Sequence, residues 1–449
     1  MTLKQHENYK PSGVEWLGAI PHHWAVKRVK DISQTQSGTT PTTNVNSYYE
    51  NGIHNWIRTT DLNDGKLYEV EYKITDLAIM ECRLKFLPID TILVAMYGGF
   101  GTIGKNSILK KESTINQSVC AILPNAKYFN SDYFLYFLKY FRHDWKLFAD
   151  GTRKDPNINQ DAVKNLFFIY PTLPEQNEIA HYLDQKTTAI DRKINLLEKK
   201  IDRYQALRKS LINETVCRGL DKSVKLKESG IEWIGQVPEH WQPVRLKDIG
   251  FLYSGLSGKS GDDFNQEDNL NNRGFIPFTN IANNIYLDKN QLGTVIVFDN
   301  EKQNQVRKND LFFLMSSEGY ADIGKTAVLA DEIKETYLNS FCKGFRVSNK
   351  NNDSYFINYL LLSPNYRHSM IVEGKGFTRI NLKMEKVNDY FIYIPPSKSE
   401  QTAISTYLDE KTQKIDTIIS NIKTQIEVLK ELRKTLINDV VTGKIRVDN

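Results

Sequence analysis

The sequence is poor in cysteine and has no long apolar run. Its four cysteines, Cys82, Cys120, Cys217 and Cys342, are scattered over 449 residues and form neither a CxxC motif nor a Cys/His pair. This spacing supports neither a disulfide framework nor a zinc site, and it favours a reducing, cytoplasmic setting. No segment approaches the roughly 18 apolar residues of a membrane span, and the polar start lacks the apolar core of a secretory signal. We therefore expect a protein that does not enter a membrane.

Motifs that carry covalent chemistry are also missing. The sequence contains no Gly-x-Ser-x-Gly, no His-Glu-x-x-His and no glycine fingerprint for a dinucleotide or S-adenosylmethionine pocket. The Pro-Pro-Tyr element of an adenine methyltransferase is absent too, because segment 155–157 has a single proline and no aromatic residue. We predict that the chain is not itself an enzyme and has no catalytic residue, metal site or cofactor.

One segment imitates a phosphate-binding loop. Gly319 to Thr326 satisfies G-x-x-x-x-G-K-[ST], in which the lysine binds terminal phosphates and the hydroxyl binds magnesium. That loop must lead into a helix, whereas residues 327–331 are apolar and then acidic, as in a strand returning from a turn. The duplicated segment ends in Asn106 instead of serine or threonine. A turn carrying Lys325 is the favoured interpretation, and a P-loop NTPase is the less favoured alternative.

Two long charged segments, 175–213 and 400–438, are copies of each other. Both place apolar side chains four and three residues apart, and every such position is moved by 225 residues (175 to 400). This spacing gives one narrow apolar stripe per helix, which is typical of a coiled coil. A succession of two three-residue steps, ending at Leu207 and at Leu432, occurs in both copies. We predict two helices of about 39 residues, roughly 60 Å long at ~1.5 Å per residue, that pack on each other.

The duplication extends through the rest of the chain. Apolar runs bounded by turn signals predict buried strands, and amphipathic segments rich in tyrosine and leucine predict helices. The offset grows from 217 to 225 residues, so the second copy carries about eight extra residues in its loops. The paired segments are the tryptophan motifs 12–24 and 229–241, the Ser-Gly pairs 37–38 and 254–255, the predicted strands 90–96 and 310–315, the Ile-Gly-Lys turns 103–105 and 323–325, the predicted helices 133–138 and 355–360, and the predicted strands 163–171 and 387–395.

We predict an α+β fold of two tandem mixed α/β domains, each followed by a long helix. The loops differ between the copies, because 37–50 and 254–272 share little beyond Ser-Gly. A constant framework with divergent loops is how one fold presents different binding surfaces. The predicted bounds are 1–174 for the first domain with its tryptophan motif, 175–215 for the first long helix, 216–399 for the second domain with the repeated motif, and 400–449 for the second long helix and the C-terminal tail.

Basic and amide side chains recur in the loops of both domains. Arginine and asparagine can form paired hydrogen bonds with guanine and adenine edges, whereas lysine and threonine suit phosphates. Solvated loop charge is the alternative for any one of them, but as a set we predict that they contact DNA. They are Lys105, Lys110, Arg153, Lys154 and Asn157 in the first domain, and Lys325, Lys375, Thr378, Arg379 and Asn381 in the second.

These motifs together resemble the DNA-specificity subunit of type I restriction-modification enzymes. The resemblance covers essentially the whole chain and rests on the duplicated tryptophan motif, the Ile-Gly-Lys turn and the Glu-Gln helix start at 175–176 and 400–401. The first helix start has Pro174 directly before Glu175, and the second departs from it, because three residues separate Pro396 from Glu400.

The resemblance implies a function in complex with other subunits. Each domain would be a target-recognition domain that reads one half of a bipartite double-stranded DNA sequence, and the helices would form an antiparallel coiled coil that sets the spacer. Two methyltransferase (modification) subunits would bind S-adenosylmethionine and methylate adenine, and restriction/translocase subunits would use ATP and magnesium. The net charge of +5 is modest for a DNA-binding chain, so we expect the modification subunits to supply further positive charge.

Four of the six tryptophans lie in the duplicated motif: Trp16, Trp24, Trp233 and Trp241. We predict that the modification subunits dock on the coiled coil and on these motifs, with the four tryptophans as candidate anchors. Packing in a domain core is an equally good interpretation of these residues. A coiled-coil scaffold without DNA binding is the alternative function, but it gives no reason for duplicated frameworks with divergent loops.

Overall fold

The computed structural model describes residues 4–98, 101–148, 157–266, 269–376 and 378–447. The chain divides into two compact units, 1–197 with 423–449, and 198–422. Both divisions fall inside long helices, whereas the domain bounds derived from the sequence lie at helix ends and remain a prediction. Within the described residues, no helix is long and apolar enough to cross a membrane.

In its described residues, the first unit combines short strands with four short helices and with parts of both long helices. Its strands are β1 Tyr9–Pro11, β2 Ala19–Pro21, β3 Ala25–Arg28, β4 Thr35–Ser37, β5 His54–Ile57, β6 Lys66–Leu67, β7 Lys73–Ile74, β8 Ile92–Ala95, β9 Asn106–Leu109, β10 Thr114–Ile115, β11 Val119–Ile122 and β12 Phe167–Tyr170. Its helices are α1 Val29–Ile32, α2 Asp76–Glu81, α3 Ser131–Phe141, α4 Gln160–Asn165, the first part of α5 Leu173–Arg218 and the end of α11 Lys398–Val441, with 3-10 turns at Asn46–Tyr48, Thr59–Asp61 and Arg142–Phe148.

The second unit repeats this framework. Its strands are β13 Leu226–Glu228, β14 Gln236–Pro238, β15 Gln242–Arg245, β16 Gly250–Ser254, β17 Asn272–Ile276, β18 Gly293–Ile296, β19 Leu311–Leu314, β20 Ser316–Ser317, β21 Thr326–Val328, β22 Thr336–Leu338, β23 Cys342–Val347, β24 Ile380–Asn381 and β25 Phe391–Ile394. Its helices are the end of α5, α6 Leu246–Ile249, α7 Phe278–Asn283, α8 Ser354–Leu362, α9 Pro364–Val372, α10 Met384–Asn388 and the first part of α11 Lys398–Val441, with 3-10 turns at Gly261–Asp263 and Lys289–Gln291.

A central sheet lies between two apolar clusters in each unit. The first sheet has the order β4-β11-β8-β9-β6 and the second β16-β23-β19-β21. Because alternate residues of a strand face opposite sides, Ile92 and Val94 of β8 enter one core cluster while Leu93 and Ala95 enter another. The residues of β19 divide in the same way between two clusters. Burial on both faces explains why these strands appear in the sequence as continuous apolar runs, and both predicted strands are confirmed.

The predicted strands 163–171 and 387–395 are only partly correct. In both copies the segment opens with a short helix, α4 or α10, and β12 and β25 begin only at Phe167 and Phe391. The side chain of Asn159 accepts a hydrogen bond from the amide of Ala162 at 2.8 Å and caps α4. A capped first turn favours helix over strand, which the apolar pattern alone does not show. The predicted helices around Tyr133 and Tyr355 are confirmed as α3 and α8.

The two long helices run antiparallel where they pack together. In the first unit, Ile179 of α5 shares the core with Val440 of α11, and Arg433 pairs with Asp191 at 3.1 Å. The second unit contains the end of α5 and the start of α11, so the early part of one helix again packs against the late part of the other. There the equivalent ion pair joins Arg208 to Asp416 at 3.2 Å. This arrangement confirms the coiled coil.

The apolar stripe fails at one place in each helix. Leu207 and Leu432 are 53% and 52% exposed, although the pattern assigns them to the packed face. Two successive three-residue steps turn such a position by roughly 120° relative to the stripe, because each residue advances about 100° around the helix. The irregular step that both copies share therefore presents one leucine per helix to solvent.

A buried glutamine follows the first acidic residue of each long helix. Gln176 accepts a hydrogen bond from the amide of Asn130 at 2.9 Å and donates one to the carbonyl of Pro171 at 3.0 Å. Gln401 accepts from the amide of Asp353 and donates to the carbonyl of Pro395, both at 2.9 Å. Each glutamine thus joins its helix to the N-cap of α3 or α8 and to the end of the preceding strand. The Glu-Gln pair is duplicated because it attaches a long helix to its globular framework.

The tryptophan motifs lie against the same helix starts. Trp24 and Trp241 are 1% and 0% exposed, so neither side chain is available as a docking anchor, and the structure favours the core interpretation for both. Trp16 and Trp233 are half-buried and pack on rings of their own units, with centroids 4.7 Å from Phe141 and 5.0 Å from Tyr366. A docking role for Trp16 and Trp233 remains a prediction.

Candidate DNA interface

Several loops of the first unit emerge at one end of its central sheet. In the antiparallel pairs, the ends of β4 and β8 both lie beside the start of β11. The start of β9 lies beside the end of β8. The amide of Ile158 donates to the carbonyl of Met96 at 3.0 Å, which brings in the segment before α4. We call the segments 37–40, 96–98, 101–105, 116–118 and 157–158 the first loop end.

The second unit forms the same arrangement from different residues. Strand ends meet through the pairs of β16 with β23, β23 with β19, and β19 with β21. The amide of Leu382 donates to the carbonyl of Met315 at 2.8 Å, as Ile158 does to Met96. We call the segments 254–257, 315–325, 339–341, 375–376 and 378–382 the second loop end.

Duplicated glycines shape both loop ends by allowing close approach. A Cβ atom on Gly38 would lie 1.8 Å from the carbonyl oxygen of Ile115, and one on Gly255 would lie 2.2 Å from that of Asn339. The glycine of the Ile-Gly-Lys turn has a φ of +70° at Gly104 and +67° at Gly324, a conformation that other residues rarely adopt. Ser-Gly and Ile-Gly-Lys are therefore parts of the framework that holds the loops.

The structure separates the candidate DNA-binding residues of the first domain. Lys105 and Asn157 both lie at the first loop end. Lys110 follows the last residue of β9, at the opposite end of the sheet, and its ammonium group pairs with Asp90 at 2.6 Å. One strand length therefore separates Lys110 from Lys105, and the predicted contact of Lys110 with DNA stays a prediction. The candidates Arg153 and Lys154 lie outside the described residues.

The candidate residues of the second domain largely come together. Lys375, Thr378, Arg379 and Asn381 are all exposed at the second loop end. Backbone hydrogen bonds of 3.0 and 2.8 Å between Lys375 and Asn381 close this loop, and β24 pairs with β20 at the end of the sheet. The loop is therefore held against the framework, with these four side chains exposed.

Lys325, in the segment that matches the phosphate-loop pattern, bonds to groups of its own unit. The Lys325 ammonium group contacts Asp322 at 2.7 Å and the carbonyl oxygen of Ala282 at 3.1 Å. Thr326 begins strand β21, which pairs antiparallel with β19, so no helix N-terminus is present to bind phosphate. This geometry contradicts the NTPase alternative and confirms a turn. It also leaves Lys325 poorly placed for the predicted DNA contact, although it lies at the second loop end.

Three arginines of the second unit differ in availability. Arg346 forms hydrogen bonds of 2.8 and 2.7 Å with the two oxygens of the buried Asp310. Arg367 donates to the carbonyl of Ile323 at 2.7 Å and supports the Ile-Gly-Lys turn, and burial lowers its pKa to about 10. Arg379 has no ion pair among the described residues, and its guanidinium lies 4.7 Å from the ring centroid of Phe341. Of these three arginines, Arg379 is the one free to bind a ligand.

Exposed aromatic rings at the loop ends were missed by the sequence analysis. Tyr97 lies at the first loop end, and Tyr320 and Phe341 lie at the second. They are neither cations nor amides, but large rings exposed in loops are themselves typical of recognition surfaces. Their exposure could not be inferred from local pattern, because similar residues elsewhere in the chain are buried.

Three of the four cysteines are buried. Burial raises the pKa of the Cys120, Cys217 and Cys342 thiols to about 12, which makes them poor nucleophiles. Within the described ranges, no cluster of three or more His, Cys, Asp or Glu side chains could hold a metal ion. The fold is thus a tandem duplication that presents two equivalent loop ends with different side chains.

Comparison with known proteins identifies the family. Residues 21–202 and 238–428 match the family described as the type I restriction modification DNA specificity domain. The two matches span most of the chain, which therefore belongs to this family and contains two target-recognition domains. It is a non-catalytic specificity subunit, and family membership implies assembly with DNA and with other restriction-modification subunits.

Individual relatives agree with this assignment. The chain is 25% identical over 441 residues to the type I restriction enzyme MjaIX specificity subunit of Methanocaldococcus jannaschii, covering 96% of each chain. It is 23% identical over 216 residues to the EcoR124I/EcoR124II specificity subunit of Escherichia coli, covering 44% of this chain and 49% of the relative.

Solved structures show the same fold. One, described under complex assembly and conformational transition of the type I R-M system, gives a TM-score of 0.73 at 15% identity and covers 95% of this chain and 99% of its own. The HsdS subunit from Thermoanaerobacter tengcongensis gives a TM-score of 0.57 at 15% identity, covering 95% and 98%.

Proposed function

We propose that this subunit reads a bipartite double-stranded DNA target, one half at each loop end. The observation that carries the proposal is the pair of equivalent loop ends, built on one framework but lined by different side chains. Asn157 directly precedes Ile158, whose backbone amide donates to Met96. Asn381 directly precedes Leu382, whose backbone amide donates to Met315, so both loop ends place an asparagine at the same point. Elsewhere the loops differ, as two unlike half-sites require.

We further propose that α5 and α11 set the spacer between the half-sites. Each unit contains the start of one long helix and the end of the other. At ~1.5 Å per residue the helices are each roughly 65–70 Å long, about two turns of DNA at ~34 Å per turn. A change in helix length would therefore change both the spacer and its rotational phase.

Partners complete the proposed activity. Two methyltransferase (modification) subunits would bind S-adenosylmethionine and methylate adenine within the target, and restriction/translocase subunits would use ATP and magnesium, all in the cytoplasm. The exposed Leu207 and Leu432 support docking on the long helices, because an apolar side chain on a charged helix gains most when a partner covers it.

A genome-wide map of N6-methyladenine tests the proposal. Cells lacking this chain should lose methylation at one split, asymmetric motif, and they should regain it when the chain is restored. The matched control restores a chain in which Lys375, Arg379 and Asn381 are all replaced by serine. We expect that variant to change one half of the motif only. Methylation that never depends on the chain, in cells shown to contain active modification subunits, would contradict the proposal.

A further inference from the structure

We propose that Phe341 positions Arg379 to read a guanine in the second half-site. This inference rests on the proposed function, because it assigns one base contact to the second loop end. It names the base class, the residue that reads it and the residue that orients the reader.

The contact between the two side chains leaves the arginine donors free. The guanidinium of Arg379 lies 4.7 Å from the centroid of the Phe341 ring, which is 47% exposed. A stacked guanidinium uses its flat face, while its N–H groups point outward in the plane. Two of those donors match the O6 and N7 acceptors that guanine presents in the major groove.

The backbone that carries Arg379 is tightly fixed. The loop is closed by the Lys375–Asn381 hydrogen bonds, and Gly376 has a φ of +149°. A Cβ atom on Gly376 would lie 1.9 Å from the carbonyl oxygen of Arg379, so the chain folds back closely on itself. The side-chain Nδ2 of Asn381 donates to that same carbonyl at 3.2 Å. The Asn381 side chain thus supports the loop, and Arg379 is the exposed arginine that the loop presents.

Two hydrogen bonds hold the backbone of Phe341. Its amide donates to the side-chain oxygen of Asn339 at 2.9 Å, and its carbonyl accepts from the amide of Met315 at 3.3 Å. The backbone that carries the ring is therefore attached to the end of the central sheet. An arginine loses much conformational entropy when it binds a base, and a fixed ring that orders it in advance reduces that cost.

The first loop end has the same turn without the ring. The amide of Ser118 donates to the side-chain oxygen of Asn116 at 3.1 Å, and its carbonyl accepts from the amide of Met96 at 2.9 Å. Ser118 therefore occupies the position of Phe341. Loss of the ring should affect the second half-site and leave the first unchanged.

The test compares single variants of the full subunit in complex with its modification subunits. We expect Arg379→Lys to reduce the discrimination against other base pairs at one G·C position of the second half-site by about 5- to 150-fold, the value of one bidentate base contact. Phe341→Ala should reduce discrimination at the same position by about 2- to 5-fold. Phe341→Tyr should keep the wild-type discrimination, because either ring can support a guanidinium. Phe251→Ala, which removes another exposed ring of the same unit, is the control and should reduce discrimination at no position.

Two readouts separate positioning from a merely structural role. Binding to oligonucleotides that differ at one base pair measures discrimination, and the slope of log affinity against log salt measures phosphate contacts. Phe341→Ala should change the first and leave the slope unchanged. Equal loss on all sequences, or relaxation at a position that Arg379→Lys does not affect, would overturn the positioning role. A reduced slope without relaxation for Arg379→Ala would instead identify a phosphate contact.

The triple serine variant distinguishes this inference from the proposed function. If it changes one half of the methylation motif while Arg379→Lys and Phe341→Ala do not, the second loop end still reads DNA and only the guanine assignment fails. If all three leave both halves unchanged, the proposed reading role of the second loop end fails as well.

Discussion

Trp24 donates a hydrogen bond from its indole nitrogen to the carboxylate of Glu175 at 3.1 Å. His23 contacts the same carboxylate oxygen at 2.7 Å. In the other copy Trp241 donates to Glu400 at 3.0 Å, and His240 lies 2.9 Å from that carboxylate. The tryptophan motif and the start of the long helix are thus one connected device, which explains why they are duplicated together. Glutamate at this position also suits the positive end of the helix dipole.

Glu175→Gln should destabilise the first unit in a pH-dependent way. Burial alone would raise the pKa of Glu175, but hydrogen bonds from His23, Trp24 and Thr172 outweigh it and lower the pKa to about 2. Because the folded pKa lies below the ordinary value of 4.5, the carboxylate contributes stability above pH 4.5 and loses it as the pH falls toward 2. We expect a cost of about 1–2 kcal/mol at pH 7, after allowing for solvent screening.

Urea unfolding of the full subunit from pH 7 to pH 3 checks this expectation. The difference between wild type and Glu175→Gln should shrink as the pH falls below 4.5. The control is Glu198→Gln, a substitution of an exposed glutamate on the same helix, which should give a small difference at every pH. A constant difference for Glu175→Gln would show that the carboxylate charge is not the cause.

Gly104→Ala should be far more costly than Gly13→Ala. Both glycines have positive φ values, +70° and +78°, so alanine at either costs about 1–2 kcal/mol of backbone strain. A Cβ atom on Gly104 would also lie 2.0 Å from the ring of Trp145, whereas nothing lies within 4 Å of one on Gly13. Overpacking adds about 1–3 kcal/mol, so we expect a total of about 3 kcal/mol or more for Gly104→Ala. Equilibrium unfolding of both variants measures the difference, and equal losses would contradict the close approach of Trp145.

Local pattern predicted the framework well, because its signals are local. The apolar run around Val94 is buried on both faces, and the heptad spacing places Leu183 in a packed seam. Duplication added the equivalences between copies without any knowledge of the fold. Those signals were sufficient for two mixed domains and two long helices, and for the family resemblance.

The candidate site was predicted less well because it depends on distant pairings. Lysine is a residue type that often contacts DNA, but the register of the sheet places Lys110 beside Asp90 and away from Lys105. The contact of the Arg379 guanidinium with the Phe341 ring joins residues that are far apart in sequence and that carry no shared motif. Leu207 shows that the local pattern can also mislead. It fits the apolar spacing, but it faces solvent because two successive three-residue steps move it out of the packed stripe.

Lys105→Ala should weaken DNA binding, whereas Lys110→Ala should not. Lys105 lies at the first loop end, and its ammonium group has no ion pair among the described residues. Lys110 lies at the other end of the sheet and already pairs with Asp90. If Lys105 contacts a phosphate, its loss should reduce the slope of log affinity against log salt by about 0.9. Fluorescence anisotropy over a salt series measures both slopes, and a larger change for Lys110→Ala would refute this placement of the interface.

Leu207→Asp and Leu432→Asp should weaken assembly with the modification subunits without unfolding the chain. Each leucine is about half exposed, so a charge there costs little in the isolated subunit but would be buried in a helix interface. Analytical ultracentrifugation with the modification subunits measures assembly, and thermal unfolding monitors the fold. Gln205→Asp, which adds the same charge at an exposed position of α5, is the control. Wild-type assembly by both leucine variants would remove these positions from the docking surface.

Deleting one heptad from both long helices should shorten the preferred spacer and leave the half-sites unchanged. We choose 194–200 of α5 and 424–430 of α11, which correspond by the register of the Asp191–Arg433 and Arg208–Asp416 ion pairs. Seven residues span roughly 10 Å at ~1.5 Å per residue, or about three base pairs of DNA at ~3.4 Å each. Because three base pairs also rotate one half-site by about 100° relative to the other, shorter spacers should be recovered only where distance and phase agree. The methylation motif of cells carrying the deletion measures the spacer directly, and deletion from one helix alone should abolish methylation because the coiled coil loses its register. An unchanged spacer in the double deletion would mean that the modification subunits, not the helices, fix the distance between the two half-sites.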